Sequence, residues 1–185
     1  MEKKGLSPII ATVLLLLVTI AAVALIANFI IPFIKGQLKT TACVKYVDYF
    51  SFDDEFNFNC YDTNNQYGVS VTAKDNQTFN EKIKGFNLIF LGAGTSKPIK
   101  VLEGASTNCR AGNISMYDIS CAGTQTIAIP ESGGLRTYIY NTTSGENFDR
   151  VRIQAIIENQ GSEFFCSTSD SINLEPCKEV FMRKP

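Results

Sequence analysis

The chain has 185 residues, with 17 Lys+Arg against 18 Asp+Glu for a formal charge of −1, six Cys, no His and no Trp. Without His there is no Ser-His-Asp or Cys-His nucleophile, no His-ligated zinc and no proximal-His haem. A net charge this small argues against nucleic acid, which rewards a basic surface.

From Leu6 to Ile34 no residue is charged. As a helix this run is about 44 Å long, against about 30 Å for the hydrocarbon core of a bilayer. Ser7, Thr12, Thr19 and Asn28 are its polar side chains, and none ionises. Backbone groups in lipid must be satisfied within the segment, so a single helix is expected. An ordinary secretory signal carries a shorter apolar core of about 7–15 residues. Ala22-Val23-Ala24 imitates its cleavage site, but the apolar run continues to Ile34, and cutting there leaves an apolar stub. Lys3 and Lys4 flank one end, Lys35 and Lys39 the other, so charge does not orient the helix. Pro32 is expected to end or kink it near Phe29–Ile31.

The start of the run carries a more specific pattern. Lys3, Lys4 and Gly5 are followed directly by Leu6-Ser7-Pro8-Ile9-Ile10-Ala11-Thr12. Ser7 is placed to cap the helix and Pro8 suits its first turn, where a missing N–H costs little. Gly5 lets a peptidase approach the backbone closely. This order of charged pair, glycine and Ser-Pro over residues 3–30 resembles the signal of type IV prepilins. The resemblance is strongest to the archaeal kind, whose helix opens with Ser-Pro-(Ile/Val)-Ile-Ala-Thr. Bacterial members usually carry Glu at the fifth mature position, where this chain has Ile10.

The resemblance implies a leader of residues 1–5, removed by a membrane aspartyl peptidase at the Gly5–Leu6 bond. Residues 6–40 would remain as the apolar helix, spanning the membrane before assembly and forming a filament core afterwards. It further implies a homo-oligomeric helical filament at the cell surface that serves adhesion, with the assembly machinery supplied by separate proteins. Ala11, Ala21, Ala22, Ala24 and Ala27 permit close helix approach, while Leu14 to Leu17 add bulk. The other reading is a membrane-anchored extracellular binding domain, or a minor tip adhesin.

Residues 41–185 differ in character, with 13 Lys+Arg against 17 Asp+Glu and no long helical period. Val69 and Val71 alternate, Phe86–Leu91 is a compact apolar run, and Ile127 and Ile129 alternate before Gly133-Gly134. Leu135, Thr137 and Ile139 oppose Arg136, Tyr138 and Tyr140; Val151, Ile153, Ala155 and Ile157 alternate with their neighbours. Strands of this kind between turn residues predict a mainly antiparallel β-sandwich, immunoglobulin-like, and α+β for the whole chain. Gly92-Ala93-Gly94-Thr95 reads as a hairpin turn rather than a phosphate loop.

All six Cys follow the helix, which reads as a disulfide framework in an oxidising space. Pairing between neighbours is expected: Cys43–Cys60, Cys109–Cys121 and Cys166–Cys177, each closing a short loop. No Cys-x-x-Cys pair suggests a metal, and no cofactor or enzymatic activity is expected. Asn76, Asn113 and Asn141 open three Asn-x-Ser/Thr sequons, candidate glycan acceptors. Residues 46–67 hold eight aromatics interleaved with Asp48, Asp53, Asp54, Glu55 and Asp62. A buried strand pair is the favoured reading of that segment, ahead of a subunit contact or a calcium site.

Overall fold

The computed structural model describes residues 8–55, 58–75, 82–104, 110–117, 126–142, 145–159 and 161–178. The chain divides between Thr41 and Ala42 into two units. It is α+β: one long N-terminal helix, then two mostly antiparallel sheets.

Helix α1 spans Pro8–Val44 and contains Pro32 in its interior. Pro32 therefore does not end the helix. Proline removes one backbone donor, whereas stopping there would release the carbonyls and amides of the whole following stretch. The hydroxyls of Thr12 and Thr19 donate back to the carbonyls of Ile9 and Leu16, both at 2.8 Å. The span thus satisfies these polar groups from within itself.

After α1, the backbone turns at Asp48, whose φ of 64° lies in the left-handed region. The strands that follow are β1 (Phe50–Phe52), β2 (Cys60–Tyr61), β3 (Gln66–Ala73), β4 (Lys82–Gly92), β5 (Thr95–Leu102) and β6 (Arg110–Ala111). Then come β7 (Ile114–Met116), β8 (Leu135–Asn141), β9 (Arg150–Asn159), β10 (Ser162–Asn173) and β11 (Glu175–Pro176). One sheet has the order β11-β2-β3-β8-β7-β6, with β1 also paired to β3. The other has the order β10-β9-β4-β5.

The sheets share one core. Phe86, Leu88, Phe90, Val151 and Ile153 from the smaller sheet cluster with Phe50, Val69, Val71, Tyr138 and Tyr140 from the larger. Edge-to-face pairs cross between the sheets: Phe50 with Phe86 at 5.1 Å, Phe86 with Tyr138 at 5.2 Å and Tyr67 with Phe90 at 5.9 Å. Such pairs add roughly 0.5–1.5 kcal/mol each beyond burial. In β8 the aromatic set Tyr138 and Tyr140 points inward, while Leu135 on the opposite face is exposed.

A buried tyrosine hydroxyl must find a partner, and those of Tyr138 and Tyr67 reach loops. Tyr138 donates to the Ala128 carbonyl at 2.7 Å, and Tyr67 accepts from the Phe148 amide at 3.1 Å. These bonds hold the loop segments over the sandwich ends. Around Ile127 and Ile129 no strand of two or more residues forms, contrary to the alternation there. Pro130 lacks an amide donor, and the Ile129 amide is taken by the Glu103 carboxylate at 2.7 Å. Ile127 still packs into the core, wholly buried.

Ala93 and Gly94 make the two-residue β4–β5 turn, with Gly94 at φ 79°. Lys100 on β5 reaches across β4 and β9 to lie 4.6 Å over the Phe165 ring on β10. On the same outer face Ile156 is fully buried, although its alternating neighbours Ala155 and Ile157 belong to the inner core.

Candidate functional surfaces

The helix is the first candidate. Pro8–Ile34 is long and apolar enough to cross a membrane, and none of it is buried. Its large apolar side chains stand 46% to 74% exposed, on every side of the helix. An all-round apolar helix belongs in lipid or among other helices rather than in water. Residues 1–7, which hold Lys3, Lys4, Gly5, Leu6 and Ser7, lie outside the described residues, which begin at Pro8 within α1.

The second candidate is the surface beside the Cys60–Cys177 disulfide. Cys43 is joined to Cys166 and Cys60 to Cys177. The expected neighbour pairs Cys43–Cys60 and Cys166–Cys177 are therefore incorrect, and Cys109–Cys121 falls outside the described residues. The reason is topological. β11 returns parallel to β2, with Glu175 opposite Cys60 and Pro176 opposite Tyr61. The Cys177 amide donates to the Tyr61 carbonyl at 2.9 Å. This puts Cys177 within bonding range of Cys60, at a Cα–Cα distance of 4.9 Å. Cys60 and Cys177 also pack with Ile139, Phe58 and Tyr117 as a small second core on the outer face of the larger sheet. A disulfide framework of this kind belongs to an oxidising, extracellular setting.

Beside Cys60 opens a cleft of about 310 Å³, lined by Asp54, Asn59, Ile172, Asn173, Glu175, Pro176 and Lys178. Asn59 holds its wall: the side chain accepts from the Ser70 amide at 2.8 Å and donates to the Asp53 carbonyl. Nothing in the strand periodicity marks these residues, because they come from β10, β11 and two loops that only the fold brings together.

The aromatic segment 46–67 proves largely structural. Tyr46, Tyr49, Phe50, Phe52 and Tyr67 are buried in the core. Its acids serve turns: Asp62 accepts from the Asn64 and Gln66 amides, and Asp53 from the Glu55 amide. Burial raises the pKa of Tyr49 and raises that of Tyr138 strongly. Tyr140 is pushed up to about 12, first by burial and then by the nearby Glu146 carboxylate, which accepts its hydroxyl at 3.4 Å. Lys84 is held above the ordinary lysine range by its hydrogen bond to Glu158, 2.8 Å away, and by that charge.

The sequons divide. Asn113 is exposed in the turn between β6 and β7. Asn141 is half-buried, and its side chain accepts from Gln66 at 2.8 Å. Asn76 lies outside the described residues. The two described sequons are adjacent, since the Asn141 amide donates to the Asn113 carbonyl at 2.9 Å.

No protein-family model matches the chain, and no curated protein matches it.

Proposed function

We propose that the chain is a structural subunit of an extracellular, type IV pilus-like filament used for adhesion. The observation that carries this reading is the helix, whose 27-residue apolar span Pro8–Ile34 packs against nothing among the described residues and leads into a disulfide-bonded β-sandwich. A solitary anchor needs only enough helix to span a bilayer, whereas this one runs 37 residues, to Val44. The order Lys3-Lys4-Gly5-Leu6-Ser7-Pro8 supports removal of a leader at Gly5–Leu6. Freed of that leader, copies of α1 would bury their apolar side chains against one another, held by hydrophobic burial and dispersion. The β unit would coat the outside. Of the two described sequon asparagines, Asn113 is the better glycan acceptor, because it is exposed whereas Asn141 is half-buried.

The cleft beside Cys60 favours one alternative, a membrane-anchored or tip-located binding domain that holds its ligand there.

Mass spectrometry of the mature N-terminus, on sheared surface material and on membranes separately, tests the proposal. Chains beginning at Leu6 in the sheared fraction support the filament. Chains beginning at Met1 and found only in membranes reject it and favour the anchored domain. Replacing Gly5 by a bulky residue should block maturation.

A further inference from the structure

The two disulfides link distant stretches of chain, and their connectivity has a mechanical consequence. Cys43 closes the last turn of α1 and is bonded 123 residues ahead to Cys166, on β10. Cys60, on β2, is bonded 117 residues ahead to Cys177, just past β11. A pull between the helix and the C-terminal segment has two short covalent routes. One crosses Cys43–Cys166 and then follows the eleven residues from Cys166 to Cys177. The other follows the seventeen residues from Cys43 to Cys60 and then crosses Cys60–Cys177. Neither route passes through β3 to β9, which form most of the core.

We infer that the paired disulfides are a redundant tension strap, carrying load between the helix and the C-terminal segment around the sandwich core. Either bond alone suffices. With one broken, the remaining route is still seventeen residues or fewer, and strands β3 to β9 carry no tension. Neighbouring pairs would do the opposite, because Cys43–Cys60 and Cys166–Cys177 leave the whole stretch from Cys60 to Cys166 in the line of force. The inference rests on the helix being the held end of the chain, as in the proposed function, but it does not require a filament. A chain found only in membranes would remove the filament and leave the strap intact.

Force-clamp stretching of the full chain in detergent tests it, with handles on azide-bearing residues placed at Gln37 and Pro185. The oxidised chain should extend only by its short route. Adding reductant under load should then release about 123 residues, a step of roughly 400 Å at about 3.4 Å per residue. The Cys60→Ser/Cys177→Ser chain should match the oxidised native length. The Cys43→Ser/Cys166→Ser chain should exceed it by about six residues, roughly 20 Å. An oxidised native chain that already extends by more than 100 residues, or a single-pair variant that does so, overturns the inference. Where a variant fails to fold, the native chain under slow reduction decides the matter: molecules that lose Cys43–Cys166 first should lengthen by about six residues before the large release.

Discussion

Along Pro8–Ile34 every large apolar side chain is at least 46% exposed, whereas Phe86, Leu88, Phe90, Val151 and Ile153 in the β unit are wholly buried. Both regions are rich in the same kinds of atoms. The β unit hides them in its own core, between two sheets. The helix offers them outward and depends on surroundings it does not supply. One region is thus stable by its own packing and the other by its environment, be it lipid or neighbouring helices. Perturbations should therefore separate cleanly between the two.

The largest effect is expected in the self-sufficient region. Phe90→Ala removes a fully buried ring that meets Tyr67, Tyr140 and Phe148. It should lower the stability of the β unit by about 3–5 kcal/mol, read from the denaturant midpoint, and leave membrane insertion of the helix unchanged. Ile20→Lys is the converse. It should cost about 3 kcal/mol of helix insertion in a translocon assay and leave the midpoint of the β unit where it was. If either substitution moves both readouts, the two regions are not energetically separate.

Gly85→Ala probes a closer fit. A Cβ there would collide with the Val101 carbonyl on the neighbouring strand, and that backbone has little room to yield. The expected loss is about 1–3 kcal/mol, again confined to the β unit, and hydrogen exchange should quicken first along β4 and β5.

Alkaline pH should give the most gradual change. Tyr140 is raised to about 12, and Tyr49 and Tyr138 are raised as well. Between pH 10 and 12 the unfolded chain gives up the Tyr140 proton more readily than the folded one, and Tyr49 and Tyr138 act in the same direction. Stability is therefore full below pH 10 and falls as the pH rises through this window. Equilibrium unfolding followed across that range should show the fall, and Tyr140→Phe should weaken it. The helix has no tyrosine in Pro8–Val44 and should show no such dependence.

Much of this architecture was legible in the residues. The helix follows from an uninterrupted uncharged run, because in an apolar medium the backbone has no cheaper way to satisfy itself. Strands β3, β4, β8 and β9 follow from alternation or compact apolar runs, since each lies within its sheet with a strand on either side. Strand β5 with Pro98 and strand β10 with Ser, Thr and Asp gave no such signal. These two strands are the edges of the smaller sheet, where backbone bonding to a single neighbour suffices and proline or charge is tolerated.

The amino-acid order by itself determined what local free energy decides: an apolar helix, a β-rich remainder, and turns such as Ala93-Gly94. Only the tertiary structure decided which face of β8 turns inward, where the cleft opens and how the cysteines pair. Disulfide formation depends on which thiols the folded chain brings together, and distance along the chain is a poor guide to that. Here β11 comes back beside β2 and β10 passes the end of α1, so Cys43 and Cys60 each bond to a residue more than 100 positions away.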